Sequence, residues 1–451
     1  MSSPSLTPHQ AVELLFTAAR AKGADRFDAV AGESESLGLE LFEGKVKSTE
    51  ISNSRGIGIR LFKGDRPGFA FTERLTPEAL TRTVDDAWSH AALTDPVELD
   101  LPHPAKLADI DLLTYEPALE EVTLDAMKTF GLALEAEGKK LDKRIENIPY
   151  LGMSRGSGFS LIANSNGLLY ESKSNSISGG MGVVALENGI KKMGVYYRAG
   201  RAFSPKVFDV EYMARVAVER AVELLDAAPL PSGKYPVMFS NRSSGQIFSM
   251  FGSPFFADAV QKGQSRLKGK VGERIAAPGF NIISDPFLPG YPGSQLFDGE
   301  GVPAQRLEVV KDGVLQTFLY NLESAKKEGV APTGSGSRGY SGKAGTGFAN
   351  YIVPLGMKSM EELLADVPKA FVVVKLEGGS GCSAISGEIS IGAQGFLYEY
   401  GKRVRAVDRV TISTNFFDLL RNIRGLSNQY SDSWSSMKVP DVLVDEVSVA
   451  G

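Results

Sequence analysis

Gly56-Ile-Gly-Ile-Arg-Leu61 is followed, at an offset of 124 residues, by Gly180-Met-Gly-Val-Val-Ala185, and the two stretches lie over one another. Each belongs to a group of strand-like segments that ends in a helix. Around the first, Leu37 to Glu43, Lys45 to Asn53, Gly56 to Lys63 and Gly68 to Thr72 read as short strands joined by glycine-containing turns. A helix capped by Thr76-Pro77 then runs to about Ala91. Around the second, Ser157 to Ala163 and Leu168 to Ser174 flank Asn166-Gly167, Gly180 to Leu186 precedes Asn188-Gly189, and an amphipathic helix covers Val210 to Leu225. Hairpins followed by a helix thus occur twice, which reads as an internal duplication.

A further helix opens the chain, with Thr7 as N-cap, Pro8 at its first position, Gln10 closing a capping box and Gly23 as its stop. Leu14, Leu15 and Ala18 share its expected buried face. Pro102 to Pro117 is a polar connector between the two copies, and Thr123 to Ala136 forms another helix. Ala228-Pro-Leu-Pro-Ser-Gly-Lys234 ends the duplicated region, because two prolines and a glycine stop a helix and leave an extended linker. The expected domains are therefore 1–230 and 231–451. The second opens with a strand, Pro236 to Ser240, and a helix from Ser243 to Lys262 that Gly252 and Pro254 can break. Asp312-Gly313 turns a hairpin between Leu307 to Val310 and Val314 to Tyr320, and further strands fall at Ala370 to Leu376, Glu388 to Tyr400, Val404 to Ile412 and Val442 to Val449. The fold class is α+β, with mostly antiparallel sheets and flanking helices.

The 451 residues are 43% hydrophobic and 23% charged, which excludes disordered and fibrous chains. A net charge of −5 with no block of like charges argues against nucleic acid or an anionic membrane as a direct partner. The opening Met1-Ser-Ser-Pro-Ser-Leu-Thr-Pro8 has neither a basic nor an apolar targeting region, and no stretch approaches the roughly 20 apolar residues of a membrane span. The expectation is a soluble, cytoplasmic protein. A single cysteine, Cys382, excludes an internal disulfide.

Several glycine and turn motifs follow one another in a specific order. They are Gly56-Ile-Gly-Ile59, Asn164-Ser-Asn-Gly167, Phe297-Asp-Gly-Glu-Gly-Val-Pro303, Lys311-Asp-Gly-Val-Leu-Gln-Thr-Phe-Leu319, Thr333-Gly334, Gly378-Gly-Ser-Gly381 and Ser386-Gly387. In this order the chain resembles the TldD/PmbA family of zinc peptidases and their paired subunits, and within it the PmbA (TldE) branch. The resemblance implies a dimer in which a TldD-like chain supplies the zinc and a PmbA-like chain completes an enclosed channel. It also links the chain to removal of leader segments from peptide precursors, to antitoxin turnover and to modulation of DNA gyrase.

Catalytic relatives carry a His-Glu-x-x-x-His helix soon after the first strand of the C-terminal domain, together with a late cysteine ligand. A zinc peptidase needs such imidazoles one helical turn apart, a third ligand and a carboxylate to accept a proton from metal-bound water. Here the corresponding helix is Asn241-Arg-Ser-Ser-Gly-Gln-Ile-Phe-Ser-Met250, and Leu426 to Ser436 holds no cysteine. The only histidines are His9, His90 and His103, none spaced to share a metal. No zinc is expected in this chain, only in a TldD-like partner, and no catalytic residue is assigned.

Gly152-Met-Ser-Arg-Gly156 matches a nucleophile elbow in letters, but no histidine follows it, and it reads as a turn between strands. Ser265, Ser324 and Ser435 each precede a lysine by three residues, a pattern that three occurrences show to be cheap. Gly334-Ser-Gly-Ser-Arg-Gly339 matches a dinucleotide fingerprint but lacks the strand before it and the helix after it. Thr333 to Gly347 reads as a mobile or channel-lining loop, with Thr333, Gly334, Ser335 and Gly336 as candidate peptide contacts. Gly378, Gly379, Ser380 and Gly381 allow close approach of an extended peptide as an added strand. Asp298 and Glu300, with Asp285 nearby in sequence, form the one acidic cluster able to hold a hard cation, and otherwise a simple turn. Three readings follow. The first is a non-catalytic subunit that binds unfolded peptide beside a TldD-like partner. The second is a homodimeric peptide-binding protein, and the third an autonomous hydrolase using a metal on Asp298 and Glu300.

Overall fold

The computed structural model describes residues 5–451; the opening Met1 to Pro4, read above for targeting signals, lies outside them. The N-terminal region is one six-stranded antiparallel sheet rather than two separate hairpin groups. Its strands are β1 (Phe27–Phe42), β2 (Lys45–Lys63), β3 (Arg66–Thr72), β4 (Ile145–Asn164), β5 (Leu169–Glu187) and β6 (Ile190–Gly200), in the order β3-β2-β1-β4-β5-β6. The two copies meet where β1 pairs with β4. Helices α1 (Pro8–Ala21) and α2 (Pro77–Ala91) cover one half of the sheet, through Leu15, Leu80 and Val84 packed against Ile57, Ile59 and Leu61. Helices α3 (Leu124–Leu141) and α4 (Val210–Val222) cover the other, through Leu134, Met213 and Ala217 packed against Met153, Met181 and Val183. Burial of the apolar stripes of these four helices is the main force holding each half together.

The two halves repeat the same order of strands and helix, and they share an atomic contact. Gly68 on β3 lies so close to α2 that an added Cβ would stand 1.8 Å from the Ala87 carbonyl oxygen, and Gly194 on β6 lies 2.2 Å by the same measure from that of Ala217 on α4. Helix and strand backbones touch at the same place in both copies, which only glycine permits.

The strands are much longer than the sequence suggests, and glycine is the reason. Gly56 and Gly180 read as strand starts and Gly152 as part of a turn, yet all lie inside β2, β5 and β4. Gly152-Met-Ser-Arg-Gly156 is accordingly straight strand and not a turn. These glycines mark close approach by a neighbour. A Cβ on Gly56 would meet the ring of Tyr340 at 2.3 Å, and one on Gly58 the Tyr340 carbonyl oxygen at 1.9 Å.

The C-terminal region begins with β7 (Gly233–Phe239), α5 (Ser244–Met250) and α6 (Ala257–Gln261), the helix being broken around Gly252 and Pro254 as the sequence indicates. Short strands β8 (Ile282–Ser284), β9 (Leu307–Lys311) and β10 (Val314–Leu315) follow, then α7 (Leu322–Glu328), β11 (Gly336–Ser337), β12 (Gly345–Thr346) and β13 (Tyr351–Ile352). Asp312 and Gly313 turn the β9–β10 hairpin with φ of 47° and 74°, but β10 ends at Leu315 instead of continuing to Tyr320. The last elements are α8 (Met360–Leu364), β14 (Ala370–Glu377), β15 (Glu388–Glu399), β16 (Lys402–Asn415), α9 (Phe416–Arg421), β17 (Ile423–Leu426), β18 (Met437–Lys438) and β19 (Val442–Ala450).

The order β16-β15-β14-β7-β19-β17, with a further pairing of β16 to β19, closes β7, β14, β15, β16 and β19 into a ring. Closure removes free strand edges. β7 and β14 run parallel, the exception in this otherwise antiparallel ring. The largest core lies against it and includes Phe239, Phe248, Tyr351 and the rings of Phe251 and Phe416, stacked with centroids 4.5 Å apart. Among the described residues, no helix is long and apolar enough to cross a membrane.

Candidate functional site

Two segments widely separated in sequence, the β7–α5 turn with α5 and the stretch from Tyr430 to Val439, come together around a cavity of about 360 Å³. Gln246 and Ser249 face it from α5, Ser431, Asp432 and Lys438 from the later stretch, and Tyr196, Tyr197 and Arg220 close it from β6 and α4 of the N-terminal region. Asp441 fixes the turn: its carboxylate accepts from Asn241 N at 2.6 Å and from the Ser427 hydroxyl at 2.5 Å. These are the two regions in which the resemblance places the zinc ligands of catalytic relatives.

The residues present do not suit zinc. The cavity wall carries no imidazole or thiolate, and Asp432 is its one carboxylate. Asp432 is already engaged by the hydroxyls of Tyr196 and, at 3.0 Å, Tyr212, and by Arg198 at 3.0 Å. Arg220, Arg242 and Lys438 add positive charge that would repel a divalent cation. Among the described residues, no three of His, Cys, Asp and Glu are grouped to hold a metal. The three histidines go to separate places: His9 pairs with Glu171, His90 Nδ1 lies 2.8 Å from the Phe69 carbonyl oxygen, and His103 is exposed in the connector.

The glycine run Gly378 to Gly381 links β14 to β15 at the far end of α5, where Gly379 lies against Met250. A seven-residue helix is only about 10 Å long, so the run and the cavity are neighbours. Gly378 has φ of +82°, Gly379 O accepts from Cys382 N at 3.0 Å, and Ser380 is exposed. Cys382 packs against the main core.

The acidic cluster is a buried ionic centre joining the two regions. Arg60 of β2 donates to Glu300 Oε1 at 3.1 Å and to both oxygens of Asp28 on β1, and Arg338 donates to Asp28 Oδ1 at 2.7 Å. Leu322 N donates to the second Glu300 oxygen at 2.8 Å. Asp298 accepts from the amides of Glu300, Val302 and Gly336 at 2.8, 3.0 and 2.6 Å. Every oxygen of Asp298 and Glu300 is thus occupied by a protein donor, and two guanidinium groups stand where a hard cation would need space. Asp285 is elsewhere, paired with Arg306 at 3.3 Å.

Burial disfavours the charge on Asp28, but Arg338 and Arg60 outweigh it and hold this carboxyl below the usual range. Asp298 has no such cation of its own. Burial, reinforced by Glu300, raises its pKa to about 7 despite its three amide donors.

Thr333 to Gly347 is built into this centre. Thr333 Oγ1 accepts from Tyr320 N at 2.8 Å, Gly334 packs against the Pro303 carbonyl, and Gly336 O accepts from Gly299 N at 2.7 Å. β11 and β12 make it a hairpin whose tip wedges Tyr340 against β1 and β2. Ser335 and Gly336 also line a cleft of about 540 Å³, bounded across from them by Ser160 and Ile162 of β4 and Glu171 to Ser174 of β5. Sequence reasoning missed Asp28, Arg60, Arg338, Arg220 and Lys438. For Arg60 a signal existed, since a charged residue inside an apolar strand must find a partner.

Comparison with known proteins agrees with this architecture. Residues 27–91, 117–225 and 232–451 match, in order, domain 1, the central domain and the C-terminal domain of the PmbA/TldA metallopeptidases. The chain belongs to the PmbA/TldD family. It is 29% identical over 436 residues to Metalloprotease PmbA of Escherichia coli O157:H7, spanning 95% of this chain and 93% of that protein. The crystal structure of a candidate modulator of a DNA gyrase from Thermotoga maritima superposes with a TM-score of 0.88 at 30% identity, covering 98% of this chain and all of that one. TldE from Thermococcus kodakarensis shares the fold, with a TM-score of 0.87 at 22% identity over 98% of this PmbA/TldD chain and all of TldE. These matches are consistent with the PmbA (TldE) branch.

Proposed function

We propose that this chain is a non-catalytic subunit of a PmbA/TldD-type metalloprotease of the cytoplasm. It binds unfolded peptide and completes the channel of a zinc-bearing, TldD-like partner in peptide-precursor processing or antitoxin turnover. The observation that carries this reading is the cavity beside α5. It lies where the resemblance places the zinc ligands of catalytic relatives, but cations, amides and hydroxyls line it in place of such ligands. The glycine run one helix length away, largely exposed, is the candidate backbone for an extended peptide to pair with.

Gly379 is the position at which to test peptide binding. A side chain there meets only the flexible end of Met250, at 3.4 Å from the added Cβ, whereas one at Gly381 strikes the Ser390 carbonyl oxygen at 2.4 Å. Gly379→Val should fold normally and bind an unstructured peptide more weakly in a titration followed by fluorescence anisotropy. Equal affinity would remove the glycine run from the account. Absence of any peptide affinity in the unaltered chain, alone or with its partner, would end the reading.

A further inference from the structure

Three cations, Arg220, Arg242 and Lys438, and one carboxylate, Asp432, line the cavity beside α5. Arg220 donates to the Val195 carbonyl oxygen at 2.8 Å and lies over the Tyr196 ring. Lys438 donates to the Ser433 carbonyl oxygen at 2.6 Å. Both are partly buried, and among the described residues neither forms an ion pair. The third cation, Arg242, is balanced by Glu223 at 3.0 Å. Asp432 pairs with Arg198 and accepts from the two tyrosine hydroxyls described above, so its charge is shared.

Taking a cation out of water costs free energy, and for these two groups the nearby Asp432 offsets only part of that cost. Burial, with Arg242 adding to it, pulls the Arg220 pKa below its ordinary value against the attraction of Asp432 and Glu223. Burial does the same for Lys438, outweighing the attraction of Asp432, with Arg198 adding a little to it. An anion entering the cavity would offset both penalties. Gln246, Ser249 and Ser431 stand around the same space with amide and hydroxyl donors for its oxygens.

We propose that this cavity is a carboxylate-binding site, in which Arg220 and Lys438 are the counter-charges for a carboxylate carried by a bound peptide. The inference rests on the peptide-binding reading above and specifies what part of the peptide is recognised. The position that would hold a metal in a catalytic relative thus anchors the substrate in this chain. Two sources offer the same chemistry, the peptide's own C-terminus and an acidic side chain.

The test uses the full-length chain and one labelled, unstructured peptide in three forms. One has a free C-terminal carboxylate and no acidic side chain, one is its C-terminal amide, and one is the amide with a single internal glutamate. The free acid, the glutamate form, or both should bind at least tenfold more tightly than the plain amide, and raised salt should shrink that ratio. Which form gains identifies the source of the carboxylate. Lys438→Gln should reduce the preference to within about twofold. Equal binding of all three forms by the unaltered chain would overturn the carboxylate site and leave the peptide-binding reading standing. No binding of any form would overturn both.

Discussion

Arg338 donates to Asp28 at 2.7 Å across 310 positions of sequence, with only 1% and 5% of the two side chains exposed. The contact ties the loop between β11 and β12 to the first strand of the N-terminal sheet. Arg338→Met leaves Asp28 still paired with Arg60 and is expected to cost about 1–3 kcal/mol, whereas Asp28→Asn strands the buried Arg338 without its carboxylate and should cost about 3–5 kcal/mol. Chemical denaturation of Arg338→Met, Asp28→Asn and the double variant checks this. A loss below about 1 kcal/mol would mean that the pair behaves like an exposed one.

Asp298 should make stability fall as pH rises through neutrality. Its folded pKa lies at about 7, above the 3.8 of an ordinary aspartate. The folded state therefore holds a proton that the unfolded chain has released, and the stability this provides is fully present below pH 3.8 and lost as pH rises through about 7. The whole effect is on the order of 4 kcal/mol. An asparagine in its place would not titrate, although turning the side-chain amide toward the Gly336 N–H costs about 1–3 kcal/mol. Asp298→Asn should consequently be much more harmful at pH 5 than at pH 8, as read from denaturation midpoints. A difference between the two proteins that does not change with pH would contradict the assignment.

The paired glycines give a symmetrical prediction. Gly68→Ala and Gly194→Ala each force a methyl group into a helix carbonyl, at 1.8 and 2.2 Å, so each should lower stability by about 1–3 kcal/mol or more. Gly342→Ala, with nothing within 4 Å of its added Cβ, should stay within about 0.5 kcal/mol of the parent chain. Thermal melting of the three variants separates these outcomes. Similar losses at Gly68 and Gly194 support equivalent helix docking in the two copies.

Local signals in the sequence were readable because local physics sets them. Thr7 caps α1 with the full capping box, and Asn188-Gly189 turns β5 into β6 with φ of 51° and 80°. The strands of the C-terminal ring begin and end within a few residues of where their apolar runs do. Glycine was misread where its cause is distant: nothing near Gly56 in sequence announces Tyr340, whose ring occupies the space a side chain would need. The ionic centre was hidden for the same reason: Asp28 and Arg60 pair across β1 and β2, but Glu300 and Arg338 reach them only after the two regions dock. The cavity beside α5 was half legible. Its C-terminal wall could be found through the family motif, but Arg220 enters from α4, which the motif does not reach.

The measurement that bears most directly on the proposed function is cleavage of an unstructured peptide by the purified chain alone and after mixing with the His-Glu-x-x-x-His-bearing relative of the same organism. The account expects no turnover by the chain alone, and chelator-sensitive turnover in the mixture faster than the relative achieves by itself. Reproducible turnover by the isolated chain, or a mixture no more active than the relative alone, would contradict it.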